Sequence, residues 1–384
     1  MSALEDYRAD LRGRLEALSA AGLRRRLRPP GGIDLTSNDS LGLAEHPRLR
    51  EAMRAALLDE PAGAGGSRLL RGQRPGFARL ERRLAAFCGR EAALLFGSGW
   101  AANTGLLQAL LGPDDLALSD AANHASLIDG LRLSGARRLV YPHQDLAAVA
   151  AGLRLPRRGR AFVVTESLFS MDGDLAPLRE LAGLCAQAGA LLIVDEAHAT
   201  GVFGAGRVAE LGLREQVLCT VHTGGKALGS GGAWVAGPAE LIDLLVQRAR
   251  PFVFSTAPLP VLAAALEAAL DLLRDEPGRP AELLRKSALL RAALAERGVP
   301  VGGQAHILSL VVGANEAAVA LQEQLAEAGF DARAVRPPTV PPGTARLRVS
   351  VRSPLPDAEL LRFAGAVAAA RERLGLVQPA GARA

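Results

Sequence analysis

A lysine in a glycine-rich stretch is the residue of this sequence best suited to covalent chemistry. Lys226 lies within residues 223–232, and the only other lysine is Lys286, so arginine carries nearly all of the remaining positive charge. A lysine amine can lose its proton and form a Schiff base, whereas arginine stays charged because its pKa lies above about 12. Taken alone, the stretch fits a Schiff-base lysine and, equally well, a solvated loop charge.

Other reactive side chains follow predicted strands. Segments 161–165, 190–194 and 217–222 are predicted as buried strands, and polar residues come directly after them. In open parallel sheets the ligand crevice lies outside the carboxyl ends of the strands. The sequence therefore predicts that side chains far apart in the chain converge on one site, namely Ser170, Asp195, His198, Thr223 and Lys226.

A glycine turn between a strand and a helix is a candidate phosphate site. Segment 91–96 is typical of a buried strand and segment 101–111 of a helix, with Ser98, Gly99 and Trp100 between them. Free N–H groups converge at such a helix N-terminus and attract anions. The turn matches neither a Walker loop, because no Gly-Lys-Ser/Thr follows, nor a dinucleotide fingerprint, because the third glycine is misplaced.

The elements that must position these residues alternate between strand and helix. Apolar strands that alternate with helices up to about residue 236 indicate a mostly parallel sheet with both faces covered. After residue 240 long apolar helices and a strand–helix–strand pattern indicate a separate α+β unit. We predict an α/β fold in three parts: an N-terminal helix and short strand (1–45), a large domain (46–245), and an interdomain helix with a small C-terminal domain (246–384).

Arginines form two further candidate anion sites. The predicted helix 3–28 ends in an arginine-rich stretch that includes Arg24, and Arg348 closes a proline-rich stretch that begins at residue 336. Arginine suits the bidentate recognition of carboxylates. A solvated helix end and a solvated edge strand explain the same residues, so both interpretations stay open on local evidence.

The composition limits the class of protein. The chain has 384 residues, of which 49% are hydrophobic and 22% charged, as is typical of globular proteins. The net charge is +5, but the basic residues are scattered and aromatic residues make up only 4%, which argues against nucleic-acid binding. No segment approaches the ~18 apolar residues of a membrane helix. The three widely spaced cysteines predict free thiols in a reducing compartment, so we expect a cytoplasmic protein with no membrane contact.

Taken together, these parts fit one class of cofactor. A phosphorylated aromatic aldehyde needs a lysine for its Schiff base, a carboxylate at its ring nitrogen, donors for its phenolic oxygen and a cup for its phosphate. The chain offers the turn at Gly99, then Asp195 and His198, then Lys226. No single part is diagnostic, and the ordered set is far more specific than any one of them.

The sequence resembles the α-oxoamine synthases, which are fold-type I pyridoxal-phosphate (PLP) enzymes. The resemblance runs from about Leu23 to Val351, and FSMDGD and DEAH before the lysine are highly specific for that superfamily. It implies PLP as cofactor, a large domain with a mostly parallel seven-stranded sheet, and a homodimer with shared active sites. The motifs are SNDSLGL (37–43), GAGGSR (63–68), NHASL (123–127), ESLFSMDGD (166–174), DEAHATG (195–201), TGGK (223–226) and RPPTVPPGTARLR (336–348).

The same resemblance implies a role for individual residues. Lys226 resembles the Schiff-base lysine and general base, and Asp195 the partner of the pyridine nitrogen. The catalytic set is then Lys226, His124, Asp195 and His198. The other implied cofactor contacts are His124 on the ring face, His198 and Ser170 at the phenolic oxygen, Gly99, Trp100 and Thr223 at the phosphate, and Ser255 and Thr256 at the phosphate of the neighbouring subunit. The implied substrate contacts are Arg348 for the amino-acid carboxylate, Asn38, His124 and Thr339 facing the substrate, and Arg24 near the distal carboxylate of the acyl chain.

The last motif favours one activity within the family. RPPTVP followed by GTARLR implies a member that condenses L-alanine with a pimeloyl thioester, with loss of CO2, in biotin synthesis. The acyl donor is pimeloyl-CoA or pimeloyl-carrier protein, so an acyl carrier protein is a candidate partner. Trp100 and Ser40 depart from the family pattern, which has Phe or Tyr at the first position and Tyr at the second.

Two alternatives remain at this point. A glycine-using sibling, such as 2-amino-3-ketobutyrate CoA ligase or 5-aminolevulinate synthase, carries the same cofactor parts. A non-catalytic subunit on the same fold is the other alternative, and it would be expected to lack the Schiff-base lysine that is present here as Lys226.

Overall fold

The computed structural model describes residues 2–376 of the chain. No helix in that range is long and apolar enough to cross a membrane. The helices are α1 (Ala3–Ala20), α2 (Pro47–Asp59), α3 (Pro75–Cys88), α4 (Gly99–Leu110), α5 (Ala125–Ser134), α6 (Leu146–Leu153), α7 (Leu178–Ala188), α8 (Arg207–Glu210), α9 (Ala239–Arg248), α10 (Arg250–Val253), α11 (Val261–Asp275), α12 (Gly278–Ala295), α13 (Asn315–Glu327) and α14 (Asp357–Arg373). The strands are β1 (Ile33–Asp34), β2 (Ala92–Phe96), β3 (Leu116–Asp120), β4 (Arg137–Tyr141), β5 (Ala161–Glu166), β6 (Leu191–Asp195), β7 (Cys219–Thr223), β8 (Ala233–Gly237), β9 (Ile307–Gly313), β10 (Phe330–Asp331), β11 (Arg333–Val335) and β12 (Ala345–Ser350).

A mostly parallel seven-stranded sheet forms the centre of the large unit, so the predicted α/β fold is confirmed. Its strand order is β2-β8-β7-β6-β5-β3-β4. The strands from β7 to β4 pair in parallel, and β8 runs antiparallel to both of its neighbours. Because β8 alone is reversed, β2 and β7 point the same way. The carboxyl ends of six strands therefore lie at one edge of the sheet.

Alternating side chains bury both faces of this sheet. Along β5, Val164 packs into a core with Leu107 of α4, whereas its neighbour Val163 packs on the other face with Leu181 of α7. Successive side chains of a strand point to opposite faces, and a strand that is apolar throughout needs cover on both. The wholly apolar strands of the sequence are thus explained by helices on either side.

The C-terminal part of the chain carries two smaller sheets. Strands β11, β12 and β9 form an antiparallel sheet, and β1 pairs in parallel with β10. One apolar core runs from Trp234 of β8 through Leu266 to Leu347 of β12 and Phe363 of α14. Since this core is shared between the sheets, the three-part division at residues 45 and 245 stays a prediction. Its outer ends, residue 1 and residues 377–384, lie outside the described residues.

The prediction of one helix over residues 3–28 is wrong at its C-terminal end. Helix α1 ends at Ala20, and Gly22 has a left-handed backbone with φ of 64°. The amides of Leu23 and Arg24 both donate to the Leu18 carbonyl, at 2.8 and 3.0 Å. A left-handed glycine just past the last turn is a common helix stop, so the arginine-rich stretch lies in irregular chain rather than on a helix.

Candidate active site

Four strands end in polar residues at the carboxyl edge of the large sheet. Asp120, Glu166, Asp195 and Thr223 are the last residues of β3, β5, β6 and β7. Glu166 lies directly beside Asp195 in the strand register. Strand β2 points to the same edge and leads into the glycine turn before α4. This is the sheet edge at which ligands of open α/β sheets bind.

Lys226 lies half-buried in the loop after β7, and burial lowers the pKa of its amine to about 8. The charges of Asp195 and Glu166 raise that pKa, whereas Arg348 lowers it further. The loop is closed by main-chain bonds, including the Gly229 amide to the Lys226 carbonyl at 2.9 Å. The site therefore holds a lysine amine that can lose its proton near neutral pH.

A hydrogen-bonded chain connects Asp195 to His124. The Asn103 amide of α4 donates to Asp195 Oδ2 at 2.7 Å and to Ser126 Oγ at 2.9 Å, and Ser126 Oγ lies 2.7 Å from His124 Nδ1. The Ala197 amide donates to the other carboxylate oxygen of Asp195 at 2.8 Å. Both oxygens of the Asp195 carboxylate are thereby oriented from α4 and from the residues after β6.

Glu166 fixes the main chain of His124. The His124 amide donates to Glu166 Oε1 at 2.6 Å. Burial raises the pKa of the Glu166 carboxyl to about 8, and the charge of Asp195 acts in the same direction. The His124 ring is partly buried and meets Trp100 edge-to-face, with ring centroids 6.0 Å apart. Burial lowers the pKa of His124; the charge of Asp195 opposes this shift and that of Lys226 adds to it, so the net direction favours an uncharged ring.

Two further histidines are buried close to the charges of the site. Burial holds the pKa of His198 well below its ordinary value, and the charges of Lys226 and Arg348 add to that effect. Burial likewise lowers the pKa of His306 to about 3, again with contributions from Arg348 and Lys226. His306 Nδ1 has no hydrogen-bond partner among residues 2–376. Both rings are therefore neutral at physiological pH.

Arg348 connects β12 to the loop that carries Ser170. Its Nε donates to the Ser170 carbonyl at 2.5 Å, Nη2 to Asn38 Oδ1 at 3.0 Å and Nη1 to Ser350 Oγ at 2.7 Å. Arg348 is only 8% exposed, and burial lowers the pKa of its guanidinium to about 10, which leaves it charged at neutral pH. A guanidinium has five N–H groups, so two remain for a bound carboxylate.

The glycine turn forms an anion-binding helix start. Ser98 caps α4 by accepting from the Ala101 amide at 3.2 Å. The amides of Gly99 and Trp100, the first two of the helix, find no acceptor in the described chain. A Cβ atom on Gly97 or Gly99 would meet nothing within 4 Å, so the space in front of these amides is open.

Some predicted residues are not connected to this network. Thr223 Oγ donates to the Gly232 carbonyl at 3.0 Å and braces the Lys226 loop. Arg24 is exposed and reaches Ser19 Oγ at 3.4 Å, whereas its neighbour Arg25 reaches Thr339 Oγ at the same distance. Ser255 and Thr256 are exposed after α10. Their phosphate and substrate roles stay predictions, as does the role of Arg24.

The comparisons with known proteins agree with this geometry. A family model, aminotransferase class I and II, matches residues 30–367. The chain belongs to this family. It is 48% identical to the 8-amino-7-oxononanoate synthase of Anaeromyxobacter sp. (strain K), over 95% of this chain and 96% of that protein.

Solved structures of related enzymes share the whole fold. A serine palmitoyltransferase variant of S. paucimobilis, solved with bound PLP–myriocin, has a TM-score of 0.90 and is 26% identical, covering 98% of this chain and 100% of that one. The 8-amino-7-oxononanoate synthase of Francisella tularensis has a TM-score of 0.78 at 26% identity, covering 89% and 98%. The similarity therefore extends from the N-terminal segment to the C-terminal sheet.

Proposed function

We propose that the chain is a PLP-dependent acyltransferase that condenses L-alanine with a pimeloyl thioester, giving 8-amino-7-oxononanoate, CO2 and the free thiol. The observation that carries this proposal is the 48% identity, over nearly the full length of both chains, to a synthase of that name. The serine palmitoyltransferase neighbours share the fold at the lower identity of 26%. The assignment places the enzyme in biotin synthesis.

The side chains of the site fit PLP. The open space before the free amides of Gly99 and Trp100 suits a phosphate. Lys226 offers an amine for the aldehyde, and the doubly oriented Asp195 carboxylate would hold a proton on the ring nitrogen. When bound, PLP supplies an electron sink that stabilises negative charge at the α-carbon of the amino acid.

Lys226 is suited to both of its proposed tasks, Schiff-base formation and proton transfer. With a pKa of about 8, roughly a tenth of the amine is neutral at pH 7. Neutral Nζ can accept the α-proton of alanine, and the same atom can return a proton to the product. Asp195 and Glu166 keep the protonated form accessible, which a general base that must also act as an acid requires.

Arg348 and Asn38 would orient the alanine carboxylate. The guanidinium is fixed in plane by its bonds to Ser170 and Asn38, and it remains charged in a buried place. A bidentate contact would use its two remaining N–H groups. Neutral His198 can donate to the phenolic oxygen of PLP without adding charge to the site, since its protonated form is disfavoured by burial.

We further propose that two chains form a homodimer with shared sites. Helix α1 has no buried residue. Its apolar side chains Leu4, Tyr7, Leu11, Leu15 and Leu18 are each at least 41% exposed. Phe254, next to Ser255 and Thr256, is 72% exposed. Exposed apolar surface of this kind marks protein interfaces, and a second copy would bring Thr256 to a neighbouring phosphate site.

A mixing experiment tests the shared site. Lys226→Ala and Thr256→Arg subunits, each weak alone, should recover activity when mixed, because the Lys226→Ala subunit supplies Thr256 to its partner. Light scattering gives the mass in parallel. A monomeric mass, or no recovery in a mixture shown to exchange subunits, contradicts the homodimer with shared sites.

We also propose a cytoplasmic location. Cys88, Cys185 and Cys219 are free and buried, and burial raises the pKa of each thiol to about 12. Unpaired buried thiols support a reducing compartment. Separation of cells into periplasmic and cytoplasmic fractions, followed by immunodetection of the protein, tests this location, and recovery in the periplasmic fraction would contradict it.

Product identification tests the activity. The purified holoenzyme is given L-alanine with pimeloyl-CoA or pimeloyl-carrier protein, and in parallel glycine with acetyl-CoA or succinyl-CoA and L-serine with palmitoyl-CoA. We expect 8-amino-7-oxononanoate and CO2 with alanine, and the preferred thioester identifies the acyl carrier. Faster turnover with glycine or serine would contradict the assignment of L-alanine as the amino-acid substrate. A borohydride-stable PLP adduct and full turnover in Lys226→Ala would contradict the proposed role of Lys226 as Schiff-base lysine and general base.

A further inference from the structure

A histidine beside the site bridges two carboxylates. His143 Nδ1 lies 2.7 Å from Asp120 Oδ1, and its Nε2 lies 2.7 Å from Asp174 Oδ2. Only the imidazolium form donates from both ring nitrogens. The bond to Asp120, followed by that to Asp174, raises the pKa of His143 to about 10. His143 is therefore a cation at neutral pH, held between two anions.

Asp120 organises the turn that presents His124. It is the last residue of β3, and its Oδ1 accepts from the Ala122 amide at 2.8 Å. Its carbonyl accepts from the Asn123 amide at 3.2 Å. His124 comes next and caps α5. The position of the His124 ring thus depends on the Asp120 carboxylate.

Asp174 closes the loop that presents Ser170. The Phe169 amide donates to the Asp174 carbonyl at 3.0 Å, and the Gly173 amide donates to the Phe169 carbonyl at 2.9 Å. The Phe169 ring packs edge-on against His143, with centroids 4.4 Å apart. Ser170 lies between these contacts, so the Asp174 carboxylate is an anchor for the Ser170 segment.

Gln144 reinforces the same bridge at a cost in backbone strain. Its φ of 59° is the one positive value of a non-glycine residue in the range 2–376. Its amide donates to Asp120 Oδ2 at 3.0 Å, and its side chain donates to the Leu175 carbonyl at 3.1 Å. Such a backbone persists only where the surroundings determine it, so both loops are held against residues 143–144.

We propose that His143 is a positioning residue of the PLP site, a cation that fixes the turn presenting His124 relative to the loop presenting Ser170. It touches neither cofactor nor substrate in this role. The inference rests on the proposed function, because those two residues are the ones predicted to stack on the PLP ring and to bond its phenolic oxygen. Without the cation, Asp120 and Asp174 keep only uncharged donors, among them the main-chain amide of Gln144 on Asp120 and the side-chain amide of Gln144 on Asp174, and the two loops lose the charged part of their common anchor.

Charge balance gives the design of the test. Asp120 and Asp174 are anions and His143 is a cation, so the bridge has one uncompensated negative charge. His143→Gln leaves two such charges, and the double variant His143→Gln/Asp174→Asn returns the bridge to one. Glutamine retains hydrogen-bonding groups but no charge. The matched control is Arg285→Gln, because Arg285 also bridges two carboxylates, Glu282 at 2.7 Å and Asp357 at 2.7 Å, between α12 and α14.

Two readouts are taken for each variant. Deuterium uptake by the apoprotein is measured in peptides covering residues 120–124 and 169–175, and the dissociation constant for PLP is measured from the absorption of the bound cofactor. For His143→Gln we expect faster uptake in both segments and an affinity about tenfold lower, which corresponds to about 1.4 kcal/mol. The double variant should recover most of both losses. Arg285→Gln should match the wild type in both readouts.

Unchanged uptake and a dissociation constant within twofold of the wild type for His143→Gln overturn the proposal. So does a double variant no better than His143→Gln, because the ring packing on Phe169 would then explain the loss. If His143→Gln does not fold, Asp174→Asn alone decides: faster uptake over 169–175 supports the bridge, and unchanged uptake refutes it. A wild type that binds no PLP refutes the proposed function. Deuterium uptake by the apoprotein still tests in that case whether His143 anchors the two loops.

Discussion

Replacing Asn103 by leucine should separate cofactor affinity from protein stability. Asn103 is 2% exposed on α4, and its Nδ2 donates to Asp195 Oδ2 at 2.7 Å and to Ser126 Oγ at 2.9 Å. Its own Oδ1 is buried without a partner in the described chain. Leucine branches at the same carbon, is somewhat larger and favours helices, so Asn103→Leu removes the amide and keeps the branched shape of the side chain.

The expected magnitudes follow from these contacts. A hydrogen bond to a charged group contributes about 1.5–3 kcal/mol, and a buried group without a partner costs about 1–3 kcal/mol. In the apoprotein the loss of two hydrogen bonds is roughly offset by the removal of the buried Asn103 Oδ1 that has no partner in the described chain. We therefore expect the free energy of unfolding to change by about 1 kcal/mol or less. In the proposed site PLP binding uses an ionised Asp195 carboxylate, which is less stable without its Asn103 donor. We therefore expect affinity to fall roughly 10- to 100-fold.

The assay combines apoprotein melting with PLP titration by absorbance. Ser126→Ala is the control, because it removes only the neutral hydrogen bond and keeps the contact between Asn103 and Asp195. It should weaken PLP binding by a few-fold at most. Asn103→Leu with PLP affinity within twofold of the wild type would refute the proposed orientation of Asp195. A loss of affinity accompanied by an equal loss of apoprotein stability would show a packing effect instead.

Three further changes have definite expected results. Gly229→Ala should lower the melting temperature far more than Gly189→Ala. Both glycines have φ of 60°, but only at Gly229 would a Cβ atom lie 2.2 Å from a backbone nitrogen, that of Ala44. Equal losses in melting temperature would contradict this clash. Arg348→Lys should raise KM for alanine at least about tenfold with little change in PLP affinity, and an unchanged KM would contradict carboxylate binding. The pKa of His143 is raised to about 10, so its bridge to Asp120 and Asp174 stabilises the fold fully below its ordinary pKa of about 6.5 and is lost as pH rises through about 10. The melting difference between the wild type and His143→Gln should therefore disappear above pH 10, and a difference that grows with pH would contradict the bridge.

The sequence was sufficient to predict the sheet and the strand ends because both depend on local pattern. Strand β5 is apolar from Ala161 to Val164, which predicts cover on both faces, and the polar residues that end β6 and β7 mark the carboxyl edge. The end of α1 was predicted wrongly because the arginines after it favour a helix end, whereas Gly22 stops the helix earlier. The left-handed conformation of Gly22 thus sets the end of α1, which the pattern of residue types did not predict.

The supporting residues of the site left a weaker signal in the sequence. Asn103 is one amide in an apolar helix, and its contact with Asp195 spans 92 positions of the chain. His306 and His143 are histidines without a motif, and their surroundings come from three or more separate segments. Glu166 was detectable, because it ends a predicted strand beside the one that ends in Asp195. Residues that act through other residues are found only once the chain is folded.

The two cations of the site explain why this chain keeps a lysine at one position and an arginine at the other. Burial lowers the pKa of both, to about 8 for Lys226 and to about 10 for Arg348. The same desolvation thus makes the lysine a proton carrier near neutral pH and leaves the arginine a permanent charge. Exchanging the two residue types would place a fixed charge where the proposed function needs a reactive amine, and a partly neutral amine where it needs a permanent cation for the substrate carboxylate. In a chain that otherwise uses arginine almost throughout, Lys226 is the position at which the proposed function requires deprotonation.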